Sequence, residues 1–433
     1  MFVFGNFIIE TVEKTMKISS VKAIKKCAAV LLAVASVFSL NGCSPKKEDV
    51  RLSVWCAEKH KELVREMVDE FSEKYADEAQ FNITISTEGE ISCKQTVLSD
   101  PKNAADLYSF ASDQFHDLYN GGALLQITEN VDEIIKGNGG KNSNAIKSAS
   151  EDGKLYAYPM TSGNGYFMYY NSDYFSEDDV KSFDKMLDIA AKNGKKVAMD
   201  FTSGWYIYSF FKAAGFNLSL SDDRSFNICN WNGKNDKYSG VDVSQAMLDI
   251  VNNPGFICCS DEEFVKGVQN GTIIAGVNGT WNSIYVKEAF GDGYAAAKLP
   301  TYTIAGNQEQ MGSFVSYKLI GVNAYTENPK WAMRLADWLT NEENQLKRFN
   351  LSGECPSNVK AAASPDVQAS VAISAEQAQT KYGTIQDVAD QFWKPTNLFG
   401  TTIAAGNIDN EDLQSLLDTM VNGITSTTST SNE

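Results

Sequence analysis

Along the chain, short runs in which apolar and polar residues alternate are followed by stretches in which apolar residues recur every third or fourth position. Arg51–Trp55 (RLSVW) alternates. Glu58–Tyr75 then carries Leu63, Met67, Phe71 and Tyr75 four apart, with Val64 and Val68 beside them, which predicts a strand feeding an amphipathic helix. Phe81–Ser86 (FNITIS) and Asp106–Phe110 (DLYSF) are again of strand type, the second leading into a helical stretch over Ser112–Asn120 that stops at Gly121-Gly122. Beyond a Gly- and Asn-rich loop at Gly137–Asn144, the extended segments Lys154–Pro159 and Tyr166–Asn171 flank Thr161-Ser162-Gly163-Asn164-Gly165, whose small residues tolerate the dihedral changes of a hinge. A second block from about Ser182 shows strands at Lys196–Met199 and Ile273–Val277, with helical stretches near Trp205–Ala214, Val241–Val251 and Asp261–Gln269. After a strand-like Tyr317–Asn323, residues 329–423 are nearly all helical in pattern, and 426–433 form a polar tail expected to be disordered. Strands alternating with helices predict an α/β fold of two lobes joined more than once, with binding outside the strand carboxyl ends.

The N-terminus reads as an address. Lys17, Lys22, Lys25 and Lys26 precede an apolar run from Cys27 to Leu40 and then Asn41-Gly42-Cys43. About 14 apolar residues fall short of the roughly 20 that span a bilayer, so a secretory signal is expected over residues 1–42. Leu40-Asn41-Gly42-Cys43 resembles the bacterial lipobox, which implies lipidation at Cys43, a tether over 43–50 and a place on the outer face of the cell membrane. Six further cysteines, Cys56, Cys93, Cys229, Cys258, Cys259 and Cys355, permit disulfides in an exported protein without choosing among pairings.

The composition narrows the partners. The chain has 433 residues, with 38 basic against 55 acidic side chains and a formal charge of -17. From Cys43 onward the balance is 33 basic to 53 acidic, so the exported part is more acidic still, the wrong sign for nucleic acid. Two histidines, His60 and His116, far apart and without a local motif, argue against a His-rich metal site, and no cofactor is expected. No phosphate loop, nucleophile elbow or zinc-protease motif occurs, so no enzyme is expected. Aromatic residues instead stand beside small or polar ones at element ends: Phe110 with Asp113, Trp205 after Ser203-Gly204, Trp281 after Gly279-Thr280, and Trp393 after Gln391-Phe392. Sugars offer apolar C–H faces and polar rims, and rings beside hydrogen-bonding side chains match both.

With Asp106, Asp113, Gly121-Gly122, Gly153-Lys154-Leu155-Tyr156, Tyr170-Asn171, Gly279-x-Trp281, Gly321-x-Asn323 and Gly353-x-x-Pro356 in order, residues 51–425 resemble the extracellular solute-binding proteins of carbohydrate ABC transporters, the maltodextrin-binding type. The resemblance implies a two-lobe, type II periplasmic-binding-protein-like fold with lobe 1 at 51–160 plus about 313–360 and lobe 2 at 161–312 plus about 365–425. It implies a monomer that captures an oligosaccharide, with a maltodextrin-like α-glucan favoured, and hands it to the permease subunits. Asp113 then corresponds to an acid that accepts sugar hydroxyls, Phe110 to the aromatic before it, and Trp205, Trp281 and Trp393 to stacking platforms, with Glu58 and Asn164 as lesser polar candidates. The family's maltodextrin binders often carry tryptophan where Phe110 stands and an acid near Asn164. A receptor for another small solute, such as a polyamine, phosphate ester or chelate, and a secreted glycoside-active enzyme are the alternatives.

Overall fold

Leu63, Val64, Met67, Val68 and Phe71 are the buried residues of a helix over Lys61–Lys74, preceded by a 3₁₀ turn at Glu58–His60. This four-residue recurrence lays the helix beside a five-stranded sheet in the computed structural model, which describes residues 47–222 and 224–427. The predicted signal, the first half of the tether including Cys43, and residues 428–433 of the tail lie outside the described residues. The chain divides into a small unit containing the stretch up to Val50 with Lys74–Phe81, and a large unit of Arg51–Glu73 and Asn82–Glu433. In the small unit the Lys47 ammonium donates to the Ala76 carbonyl at 2.6 Å. The large unit contains both crossings between the sheets and every candidate ligand-binding residue.

Two separate five-stranded sheets define the two-lobe, periplasmic-binding-protein-like α/β fold. The first runs, in spatial order, Ala79–Thr87, Glu48–Cys56, Leu107–Ala111, Lys318–Val322, Ala157–Thr161. Its Lys318–Val322 strand arrives from late in the chain and pairs antiparallel with a neighbour on each side. The second sheet runs Phe256–Ile257, Lys196–Ala198, Ile273–Asn278, Phe167–Asn171, Tyr294–Ala297. Its first three strands are mutually parallel, while Phe167–Asn171 runs antiparallel to the neighbours on both sides. An apolar cluster including Phe183, Ile207, Phe210, Trp231, Met247 and Phe399 fills the space under this second sheet.

The chain crosses between the sheets at Thr161–Tyr166, and again between Ser313 and Lys318. These crossings are laced together. Asn164 N–H donates to the Ser316 carbonyl at 2.9 Å, Asn164 Nδ2 to Ser316 Oγ at 2.7 Å, and Ser162 N–H to the Cys355 carbonyl at 2.9 Å. Gly163 is needed for its positive φ of 69°, and a Cβ there would lie 2.4 Å from Glu376 Oε2. Glu376, buried on the helix Val371–Thr380, accepts the Gly165 N–H at 3.0 Å. Its carboxyl is raised well above the ordinary range because burial outweighs that bond and the pull of Lys318.

One expectation needs correcting. Residues 329–423, expected to be nearly all helical, also contain a strand: Gly383–Ile385 runs parallel to Ser313–Val315. Gly383 makes this possible, because a Cβ there would sit 2.7 Å from Val315. Small hairpin-type pairs at Thr301–Ile304 with Asn307–Gln310 and at Leu218–Leu220 with Asn227–Cys229 also have no counterpart in the helix and strand pattern read above. The six cysteines among the described residues are free thiols. Among those residues no helix is long and apolar enough to cross a membrane.

Candidate functional site

The parallel strands of both sheets deliver polar and aromatic residues from their carboxyl ends, where open α/β sheets bind ligands. Glu48–Cys56 leads to Lys59, and Leu107–Ala111 leads through the 3₁₀ turn Ser112–Gln114 to Asp113. In the second sheet Lys196–Ala198 leads to Trp205, Phe256–Ile257 to Asp261, and Ile273–Asn278 to Trp281.

Trp205 and Trp281, both half-buried, meet with ring centroids 5.7 Å apart and planes tilted by 39°. Tyr166 meets the Trp205 ring edge-on at 4.6 Å. Local sequence fixes both rings. A Cβ on Gly279 would lie 1.8 Å from the Trp281 ring, so only glycine lets the indole fold back over its own turn. Gly204 is equally tight, with Thr396 Oγ1 2.1 Å from where its Cβ would be, and its N–H donates to Asn397 Oδ1 at 2.7 Å. This close approach brings the helix Trp393–Ala404 onto the start of the Trp205 helix. Trp393 is half-buried on the second lobe's core, edge-on to Phe392 at 4.9 Å.

Asp261 orients Trp281. Ser260 caps the helix Asp261–Gln269 reciprocally with Glu263, which leaves the Asp261 carboxylate free to turn inward. Trp281 Nε1 donates to Asp261 Oδ2 at 2.8 Å, and Asn278 Nδ2 to Oδ1 at 2.9 Å. The Lys59 ammonium, from the other lobe, feels Asp261 as well as Glu354 and Glu90. Its pKa is nonetheless lowered, first by burial and then by Lys318. Solvent still reaches the Lys59 side chain, so it stands in a cleft: open to water on one side and crowded by protein on the others.

Asp113 is the perturbed acid. Burial pushes its carboxyl up to about 6, against the pull of the Gln386 amide, its own backbone N–H and Lys94. Its Oδ1 is buried and has no hydrogen-bond partner in the protein. A buried acceptor without a donor is costly, and a ligand hydroxyl is the kind of group that relieves it.

Behind the first lobe's side of the cleft lies a buried ionic cluster. Lys318 Nζ is 2.5 Å from Glu354 Oε1, His60 Nε2 is 3.1 Å from Glu354 Oε2, and Arg348 Nη1 is 3.9 Å from the same oxygen. Burial alone would raise the Glu354 carboxyl, but Lys318, His60 and Lys59 outweigh it and hold the group well below the carboxylate range.

The sequence-derived candidates divide accordingly. Trp205 and Trp281 meet ring to ring, Asp113 follows the strand Leu107–Ala111 with one buried oxygen unpartnered, and Trp393 sits on the helix that packs beside Trp205. Phe110 requires correction: it is 0% exposed, inside the first lobe against Tyr108 and Gly321, so it has no surface for stacking. Glu58 has a 72% exposed side chain near Lys61 and takes a hydrogen bond from Thr87. Asn164 is engaged with Ser316 in the crossing. The pattern reading missed Lys59, Asp261 and Gln386. Lys59 directly follows the Glu58 that was singled out, and Asp261 opens a predicted helix. Gln386 falls within the stretch whose pattern predicts helix, and no local signal marks it.

Residues 66–375 match the family model described as "Bacterial extracellular solute-binding protein", and the chain belongs to that family. It is 23% identical over 418 residues to the galactooligosaccharide-binding protein of Bacillus subtilis (strain 168), covering 90% of this chain and 94% of that one. Among solved structures it resembles one solved with acarbose, at 30% identity and TM-score 0.72 over 87% of this chain and 100% of that chain. It also resembles the ligand-free maltodextrin-binding protein MalE1 from L. casei BL23, at 25% identity and TM-score 0.69 over 87% and 99%.

Proposed function

We propose that this chain is the substrate receptor of a carbohydrate ABC importer, closing its two lobes on an oligosaccharide and presenting it to the permease subunits. The observation that carries the reading is the meeting of the Trp205 and Trp281 rings, and the buried, donor-less oxygen on Asp113 is in keeping with it. Rings cover the C–H faces of a pyranose, and Asp113, Lys59 and Asp261 serve its hydroxyls. A ligand that touches both lobes makes contacts in the closed state that the open state lacks, and so favours closure. Reversible, non-covalent capture is the reading in keeping with membership of the solute-binding family.

A maltodextrin-like α-glucan is the favoured ligand, in keeping with the maltodextrin-binding and acarbose-bound neighbours. The galactooligosaccharide-binding relative supports β-linked galactosides as a second reading. The lobes comprise 51–160 with about 313–360, and 161–312 with about 365–425. The receptor acts as a monomer, held at the outer face of the membrane by lipid on Cys43. A thermal-shift screen of the chain from Cys43 onward against α- and β-linked oligosaccharides tests the reading, because a ligand bound only by the native state raises the melting point. A cognate oligosaccharide that raises Tm and is recovered intact is the expected result; hydrolysis of the sugar, or no shift with any oligosaccharide, overturns it.

A further inference from the structure

Lys94 lies on the helix Cys93–Ser99, ahead of the first-sheet strand Leu107–Ala111, and Cys93, Lys94 and Val97 are the buried residues of that helix. Its backbone N–H donates to Gln114 Oε1 at 3.1 Å, and Gln114 Nε2 donates to the Glu90 carbonyl at 2.5 Å. These bonds fix the helix to the turn Ser112–Gln114, which carries Asp113. Asp390 belongs to the other lobe. It opens the 3₁₀ turn Asp390–Phe392, and Phe392 is buried in the apolar cluster under the second sheet. Asn227 pins the residue before it, accepting the Ala389 N–H at 2.8 Å and donating through Nδ2 to the Ala389 carbonyl at 3.2 Å and the Ile424 carbonyl at 3.1 Å.

The Lys94 ammonium joins these two bodies. It donates at 2.8 Å to Asp117 Oδ2, on the helix Phe115–Asn120 of its own lobe, and it donates to Asp390 Oδ1 across the lobes. The Lys94 side chain is 11% exposed, against 52% for Asp117 and 58% for Asp390. Burial alone would lower the Lys94 pKa, but the two carboxylates outweigh it and hold the ammonium above its ordinary value. The two bonds differ in what they connect. Asp117 moves with Lys94, so that bond survives a rotation of one lobe against the other; the bond to Asp390 is lost when the lobes turn apart. Neither Lys94 nor Asp390 lies in the crossings Thr161–Tyr166 and Ser313–Lys318.

We infer that Lys94 is a positioning residue for lobe closure: its ion pair with Asp390 holds the two lobes in the arrangement described here before any ligand arrives. The consequence for capture rests on the sugar-receptor reading, but the pair itself needs no sugar. Apparent affinity scales with the fraction of molecules already in the binding-competent arrangement, so a bias toward that arrangement tightens binding without touching the ligand. Because the Asp390 end is open to water, salt weakens the bias.

The test uses the chain from Cys43 onward with Asp390→Asn, Asp390→Lys and, as the control within one lobe, Asp117→Asn, which removes the same charge from the same ammonium. Small-angle X-ray scattering of the ligand-free chain gives the radius of gyration at about 0.01 M and about 1 M salt, between which the screening length falls from roughly 30 Å to roughly 3 Å. The wild-type radius is expected to grow with salt. Asp390→Asn is expected to be expanded already at low salt and to respond less, Asp390→Lys to be more expanded still, and Asp117→Asn to keep the wild-type radius. With the oligosaccharide that most raises the melting point, Asp390→Asn weakens binding about fivefold at low salt, and Asp117→Asn by less than about twofold. Wild-type dimensions in both Asp390 variants, an equal expansion in Asp117→Asn, or the same salt response in wild type and Asp390→Asn overturns the inference. So does unchanged affinity in an expanded Asp390→Asn. If the dimensions change as stated while wild type binds no oligosaccharide, the positioning role stands and the sugar reading falls.

Discussion

Trp205 and Trp281 lie on different elements far apart in the chain, yet their rings meet at 5.7 Å with Asp261 holding the second indole by its N–H. The pair is an exposed-edge aromatic surface built by two glycines, Gly204 and Gly279, whose missing side chains make room for it.

Removing one platform ring removes a stacking face without opening the core. Trp281→Ala and Trp393→Ala are each expected to weaken oligosaccharide binding by about 1 kcal/mol or more, read by calorimetry, with the unfolding transition still cooperative. Trp281→Phe keeps the face but releases Asp261, and should fall between. Wild-type affinity in both alanine variants would move the site elsewhere.

Asp113 trades stability for binding. Its carboxyl titrates near 6 in the folded protein against an ordinary 3.8, so between those values the folded state keeps a proton that the unfolded state gives up. For this group, stability therefore falls as pH rises through that window, by at most about 3 kcal/mol. Asp113→Asn is expected to melt at a higher temperature than wild type at pH 7.5, with the gap closing at pH 4, and to bind sugar more weakly. A lower melting point for Asp113→Asn at pH 7.5 contradicts this assignment.

Lys318 is the cation that burial of Glu354 requires. Lys318→Met leaves that carboxylate with His60, Lys59 and the more distant Arg348, and should lower unfolding stability by about 3 kcal/mol in denaturant titrations. Adding Glu354→Gln should restore a large part of the loss, since the uncompensated charge is then gone.

The membrane anchor is tested by fractionation. Cys43→Ala in the full chain should shift the protein from the detergent phase to the medium, and an unchanged distribution would argue for a plain signal peptide.

The periodic elements were legible because their cores are local: Leu63, Met67 and Phe71 declare a helix face whatever lies opposite. The crossing at Thr161–Gly165 was legible for a similar reason, since Gly163 adopts a backbone conformation that side chains avoid. Phe110 misled because the strand Leu107–Ala111 is an interior strand of its sheet, with Leu107, Tyr108, Ser109 and Phe110 all buried. Being three positions from the site's acid does not place it in the site. Lys59 gains its meaning from Asp261, and Gln386 from Trp205, whose indole N–H it accepts, partners distant in sequence that no window of neighbouring residues contains.

The strand order of the first sheet also bears on how the molecule comes into being. Lys318–Val322 lies between Leu107–Ala111 and Ala157–Thr161, so the filler of that gap is made after every other strand of the sheet. A ribosome-bound or truncated chain ending before Lys318 carries two facing strand edges with nothing between them. Such edges invite pairing with other chains. Nascent chains of this architecture therefore stay unfinished until late in synthesis, which suits passage through a membrane in the unfolded state and makes early termination products prone to aggregate.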